Sequence, residues 1–287
     1  MSSLPLPPPP LLLQTLPARQ GVLWVRRGFA LFMRRPMGFT LLFLSFLFVA
    51  LFVMSLPVVG PIVVMMALPL LSLAFMVATR GALGGKPVHP GQYVELVGGR
   101  QKARRRELIK LCVVYGLATA FIAALCDWVD GGSFEQLHVE MMVEGGEPGV
   151  LLTDARLQFG LLLRVALTTL LALPFWHAPA LVWWGQQGTA QSLFSSWIAC
   201  WRNRGALLVY GLAWVVLVVA FTLLVGTVFA LLGARQMAGI AALPAGLMFS
   251  CAFYVSLYFT FSDSFGWTTT AASTDQPNDQ APTNGAA

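Results

Sequence analysis

Few residues of this 287-residue chain are placed to do chemistry. Arg164 stands inside an apolar run, LLLRVALTT, where a charge must pair, snorkel to an interface or serve a ligand. Three readings stay open: snorkelling towards periplasmic headgroups, an ion pair with Asp127 or Asp130 at the end of the preceding apolar segment, or a ligand-binding arginine. His177 lies between Pro174 and Pro179, flanked by Trp176, Trp183 and Trp184. It reads either as part of an interfacial aromatic belt or as a polar element at a helix break facing the bundle interior. Pro179 frees a carbonyl that needs a partner. The run RQKARRRELIK carries Arg100, Lys102, Arg104, Arg105, Arg106 and Lys110. These residues anchor topology, bind anionic lipid, or do both.

Other chemistry is missing from the pattern. Asp127, Asp130, Glu135, His138, Glu140, Glu144 and Glu147 crowd one connection, and such ligands suit a divalent cation. Their spacing fits no defined metal loop, so a solvated, partly helical acidic loop is expected. There is no H-E-x-x-H, G-x-S-x-G, phosphate-binding loop or G-x-G-x-x-G. No catalytic residue, metal or cofactor is expected, and the chain does not read as an enzyme or a nucleic-acid binder. The cysteines Cys112, Cys126, Cys200 and Cys251 are scattered, without C-x-x-C, and no structural disulfide is expected. Asp127 stands at the very end of one expected span, and no Asp or Glu falls deeper inside any of them, which counts against an ion-coupled carrier. A passive carrier could still be lined by Thr168, Thr169 and backbone near Pro174.

The elements that position these residues are membrane helices. Apolar residues make up 57% of the chain, charged residues 10%, and mean hydropathy is +0.73. A soluble domain carries roughly 25% charge. A helix needs about 20 apolar residues to cross the hydrocarbon core, and six stretches qualify: 38–58, 61–79, 108–128, 157–183, 206–231 and 238–261. The fold class is therefore all-α, a polytopic bundle of six transmembrane helices over residues 16–261, with a kink or early end where Pro174 and Pro179 fall. Residues 1–15, rich in proline, read as a disordered lead without the basic region of a signal peptide. Residues 262–287 read as a disordered polar tail.

Basic residues near membrane ends stay cytoplasmic. With both termini inside, fifteen of the eighteen Lys and Arg residues lie on the cytoplasmic side, and loop 127–156 is periplasmic. Two segments, Trp24–Pro36 and Leu193–Gly205, carry apolar faces and end in basic residues before a span. Both read as amphipathic interfacial helices. Together with Tyr115-Gly116-Leu117-Ala118 recurring as Tyr210-Gly211-Leu212-Ala213, they form a weak echo in the direction of an ancient duplication. Gly226 with Ala230, and Ala242 with Gly246, form small-x-x-x-small seams where helices are expected to pack closely.

Leu16-Pro17-Ala18-Arg19, Trp24, Gly28, Phe32 and Arg35-Pro36 resemble the opening of a family of mainly betaproteobacterial multi-pass inner-membrane proteins of unknown function. Ala178-Pro179-Ala180-Leu181-Val182, Ser192-Leu193-Phe194 and Asn203 resemble its later half, so the similarity covers about residues 16–260. The resemblance implies the same topology and the bacterial inner membrane; it brings no activity, cofactor or catalytic residue. The leading expectation is an accessory or structural membrane protein that organises lipid or a partner; the alternative is a passive or uncharacterised small-molecule transporter. A polar cavity at the midplane, beside Arg164 and Pro174, would favour transport, and a dry, filled bundle the accessory role.

Overall fold

Apolar runs without internal charge must close their backbone hydrogen bonds within the segment, and in this chain they do so as helices. The computed structural model describes residues 11–57, 59–98, 102–142, 154–233 and 237–267. Its helices are α1 Gln20–Arg34, α2 Pro36–Met54, α3 Val59–Leu83, α4 Gly91–Gly98, α5 Lys102–Asp130 and α6 Ser133–Met142. They continue as α7 Ala155–Trp176, α8 Ala178–Trp183, α9 Thr189–Arg202, α10 Arg204–Leu231 and α11 Met237–Ser264. Six elements (α2, α3, α5, α7 with α8, α10, and α11) are long and apolar enough to cross a membrane. Even α2, the shortest, reaches about 28 Å at ~1.5 Å per residue, close to the ~30 Å hydrocarbon core. Pro36 opens α2 where its missing N–H costs no intrahelical bond.

The second span is the hub: α3 packs against α2, α4, α5, α8 and α11. One core gathers Trp24, Phe39, Leu42, Phe75, Tyr210 and Val255; a second gathers Leu73, Leu96, Leu108, Leu111 and Phe175; a third gathers Met76, Leu181, Leu257 and Phe261. Outward, Phe48 and Phe52 of α2 and Leu208, Leu212, Val216 and Leu223 of α10 are exposed. An apolar surface this extensive is solvated by lipid, not water.

The two amphipathic helices bury different faces. Trp24, Gly28, Leu31 and Phe32 of α1 are buried, and α1 packs against α10 and α11. Two glycines permit this approach: a Cβ at Gly21 would meet the backbone N of Tyr210 at 2.5 Å, and one at Gly28 would meet Ser256 Cβ at 2.6 Å. In α9 the buried face is Ser192, Ser196, Ala199 and Cys200. Phe194, Ile198 and Trp201 remain exposed, so its aromatic face is the one turned out towards the membrane interface. The Tyr-Gly-Leu-Ala echo has no common environment either. A Cβ at Gly116 would run into Met66, whereas one at Gly211 would meet nothing within 4 Å.

Two further expectations need correction. The small-residue seams do not bring backbones together: a Cβ at Gly226 or Gly246 would meet nothing within 4 Å. The Phe221 and Phe249 rings, 5.0 Å apart, stand between α10 and α11, and beside them lies a groove lined by Gly226, Ala242 and Gly246. The chain ends also carry structure inside the expected lead and tail. β1, Leu11–Leu13, pairs antiparallel with β2, Phe265–Trp267, in the register Leu11 to Trp267 and Leu13 to Phe265. The pairing holds the two ends of the described chain on one side of the bundle.

Candidate functional site

Arg164 is brought together with both of its candidate partners. Its guanidinium donates through Nη2 to Asp127 Oδ1 and, at 2.9 Å, to Asp130 Oδ2. The Asp130 side chain is fully buried, that of Arg164 is 16% exposed and that of Asp127 54%. The pairing with Asp130 is therefore the desolvated one. Asp130 also caps the turn after α5, accepting from Gly132 N at 2.9 Å; Gly131 and Gly132 make that turn with positive φ. Phe134, the second residue of α6, lays its ring 4.3 Å from the guanidinium carbon. Gly160 leaves room for Asp130, whose Cβ would stand 2.6 Å from any Cβ at that position. The node thus ties α5, α6 and α7 together at one membrane face. Among the described residues no group of three or more His, Cys, Asp and Glu is placed to hold a metal; Glu144 and Glu147 lie outside the described residues.

His177 sits at the break between α7 and α8, inside the bundle. It is 1% exposed, with the rings of Phe261 and Phe265 at 6.0 and 5.5 Å. Pro174 stays within α7, and Pro179 lies in the first turn of α8. The break costs the bond from His177 N–H to Leu173 C=O. Ser196 of α9 replaces it, accepting from His177 N at 3.0 Å and donating to Leu173 O at 2.9 Å. Cys200 Sγ also reaches Leu173 O, at 3.4 Å. Trp176 Nε1 donates to Thr260 Oγ1 at 3.1 Å. Thr168 and Thr169, considered as lining for a path, are exposed on the outside of α7 instead, and Thr168 Oγ1 bonds back to Arg164 O.

The basic run forms the first turns of α5, except that Arg100 lies outside the described residues. Lys102, Arg106 and Lys110 are exposed, and Arg104 and Arg105 are half-buried. Arg105 donates to Val97 O at 3.1 Å, and Lys110 pairs with Glu107 at 2.6 Å. Glu107 then caps α9, accepting from Thr189 N at 2.9 Å and Thr189 Oγ1 at 2.8 Å. A carboxylate at a helix N-terminus meets the positive end of its dipole.

Two further polar nodes join segments far apart in the chain. Asn203, 2% exposed, accepts from Leu16 N at 2.9 Å and donates to Gln14 O at 3.0 Å, fastening the N-terminal segment to the junction of α9 and α10. Asp263, near the end of α11, accepts from Gln20 Nε2 at 2.5 Å, Trp24 Nε1 at 2.9 Å and Arg27 Nη1 at 3.0 Å. Those donors recur along one face of α1, so Asp263 sets how that helix docks.

Two cavities bear on function. One of about 140 Å³ reaches the middle of the bundle, lined largely by Leu68, Pro69, Tyr115, Phe175, Trp176 and Tyr254. Its walls are mostly apolar, with Ser72, Tyr115 and Tyr254 as the hydroxyl-bearing members, and Arg164 is not among them. The other, about 590 Å³, opens where α3 ends, on the face that carries the termini, and holds Arg80, Lys86, His89, Gln92, Glu95 and Trp184. Arg35 fixes its loop by donating to Lys86 O at 2.5 Å. Beside it, Tyr93 donates to Leu42 O at 3.2 Å, and burial pushes its phenol well above the ordinary range, so it remains a donor.

No family's sequence model matches the chain, and no solved structure matches it. A probable inner membrane protein of Burkholderia thailandensis is 30% identical over 249 residues, covering 87% of this chain and 92% of that protein. With six apolar helices in the fold and that similarity running almost end to end, the chain belongs to the same family of multi-pass inner-membrane proteins as the Burkholderia protein.

Proposed function

We propose that this protein is an accessory or structural component of the inner membrane that organises phospholipid or a partner complex, with both termini cytoplasmic and loop 127–156 periplasmic. The observation that carries the reading is the filled bundle: its central cavity is small and mostly apolar, and the backbone groups freed at the helix break, His177 N–H and Leu173 C=O, are both answered by Ser196. A carrier needs a polar, wettable path past the midplane; the lining of Leu68, Phe175 and Trp176 argues against one. The orientation is supported by the basic residues. Lys102, Arg104, Arg105, Arg106 and Lys110 crowd the start of α5 on the face that carries the paired chain ends. Placed at an anionic leaflet, each contributes about 1 kcal/mol of attraction. Lipid extraction from protein purified out of its native membrane tests the role. Enrichment of particular phospholipids over the bulk membrane is expected; bulk composition together with substrate flux in reconstituted vesicles would overturn it.

A further inference from the structure

The fold sorts the arginines of α1 and its ends into two kinds. Arg27 donates to Asp263 Oδ2 at 3.0 Å, and Arg35 donates to Lys86 O at 2.5 Å. These two tether the helix, one to the end of α11 and the other to the loop after α3. Arg19, Arg26 and Arg34 are exposed, and among the described residues nothing pairs with their guanidinium groups. Asp263 is already committed to Gln20, Trp24 and Arg27. The exposed positions recur three or four apart, at Arg19, Val22, Arg26, Ala30 and Met33, with Arg34 beside the last. At about 3.6 residues per turn they form one stripe, opposite the buried Trp24, Gly28, Leu31 and Phe32. The stripe alternates cations with apolar side chains and, like the whole of α1, holds no acid.

Gly21 lies against the backbone of Ala206 and Tyr210, in the first two turns of α10, and Arg35 reaches the loop that follows α3. Both ends of α1 therefore stand where spans leave the hydrocarbon, on the face of the paired chain ends. A stripe turned to water gives Val22 and Met33 nothing to bury against, and one turned to hydrocarbon leaves three charges unanswered. The headgroup boundary answers both, since apolar side chains reach acyl chains there while arginines extend to phosphate. Topology alone does not need this arrangement, because the positive-inside rule counts basic residues whatever their helical phase. Arg19 and Arg26 stand ~10.5 Å apart along the axis, and Arg26 and Arg34 ~12 Å, far enough for each to take its own phosphate. We propose that this stripe binds the phosphate groups of anionic phospholipids, one each at Arg19, Arg26 and Arg34, with Val22 and Met33 among their acyl chains. The proposal rests on the lipid-organising reading above and gives it a surface apart from the basic start of α5. The lack of an acid in the stripe leaves nothing to receive the amine of a zwitterionic headgroup. An acidic protein segment would have to lie within the headgroup layer to cover Val22 and Met33, where lipid already stands.

The test uses the full chain in detergent, titrated with phosphatidylglycerol or phosphatidylcholine of one acyl composition, with bound lipids counted by native mass spectrometry. Phosphatidylglycerol is expected to be preferred by roughly fivefold at each site. Arg19→Gln, Arg26→Gln and Arg34→Gln, all at exposed positions, should each lose one tightly held phosphatidylglycerol and leave thermal unfolding without added lipid unchanged. Arg27→Gln removes the same charge from a group already paired with Asp263 and should keep the full count. An equal loss in Arg27→Gln would show that net charge, not the stripe, holds the lipid, and would overturn the proposal. So would an undiminished count in the triple variant; if that count then fell on changing Lys102, Arg106 and Lys110 to Gln, the lipid-organising role would stand without this surface. No preference over phosphatidylcholine in any of these proteins would remove the stripe and that role together. Displacement of the lipid by an equal concentration of soluble glycerophosphoglycerol would overturn the assignment to a membrane lipid. An acidic protein that copurifies with the unaltered chain and not with the triple variant, in the absence of a lipid preference, would overturn it in favour of a protein partner.

Discussion

Ser196 repairs the helix break at His177, accepting from its N–H at 3.0 Å and returning a donor to Leu173 C=O at 2.9 Å. One hydroxyl thus stands in for a missing rung of the helical ladder. Polar contacts between membrane helices average only ~0.6 kcal/mol, because the separated helices find other partners. Here removal orphans the His177 N–H in an enclosed place and leaves Leu173 C=O with only the weak Cys200 Sγ contact, which costs about 1–3 kcal/mol. Ser196→Ala should therefore lower stability by that amount in thermal unfolding of the purified protein. Ser195→Ala, on a face not buried, should leave it unchanged.

The two carboxylates that share Arg164 are expected to behave differently. Asp127 is half-exposed, and an exposed pair is worth about 0–1 kcal/mol. Asp130 is wholly enclosed, where losing one partner of a buried pair costs up to about 3–5 kcal/mol, an upper bound here because Asp127 still faces Arg164. Asp130→Asn should thus be far more damaging than Asp127→Asn. The double variant Arg164→Met with Asp130→Asn should recover part of the loss. Reversible denaturant unfolding of the unsubstituted protein, Arg164→Met, Asp130→Asn and the double variant gives the coupling energy; strict additivity of the two single changes would show that the pair is not a unit.

The spans were legible because lipid imposes one requirement, a long apolar helix, that composition alone expresses. The packing of α1 was less so. An apolar stripe looks the same whether it meets lipid or protein, and the clue lay in Gly21 and Gly28 on the Trp24 face, which permit contact with Tyr210 and Ser256. Asp263 escaped notice because it was assigned to a polar tail, although apolar residues resume after it at Phe265 and Trp267. Arg164 and its acidic partners could be named in advance because a single charge in an apolar run leaves few options. The cavity holding Gln92 and Trp184 could not, since no spacing links residues 92 positions apart.

Docking of α1 should depend on Asp263 and on the absence of a side chain at Gly21. Gly21→Val would drive methyl groups into the backbone of α10 at Ala206 and Tyr210, which cannot yield as a flexible side chain can. It should reduce the amount of folded protein recovered from membranes. Asp263→Asn keeps an acceptor for Gln20 and Trp24 while removing the charge that meets Arg27. Arg27 is about half-exposed there, so the loss should be small, under about 1 kcal/mol. Asp263→Leu removes the acceptor for all three donors and should cost several-fold more in the same unfolding assay. Equal effects of Asn and Leu would assign the anchoring to the charge and not to the hydrogen bonds.

Orientation is open to direct chemical test. Cys126 stands at the end of the third span but is fully enclosed. Cys200 and Cys251 are buried as well, and Cys112 is half-buried. A Cys112→Ser background should therefore react slowly with a membrane-impermeant maleimide. In that background a cysteine at Glu135, exposed on α6 beside the Arg164 node, should label in intact cells. A cysteine at Lys102, exposed at the start of α5, should label only after the membrane is opened. The two positions flank one spanning helix, so they must report opposite sides whatever the orientation. Labelling of Lys102→Cys but not Glu135→Cys in intact cells would place the arginine-rich face and both chain ends outside, reversing the assignment drawn from the basic residues.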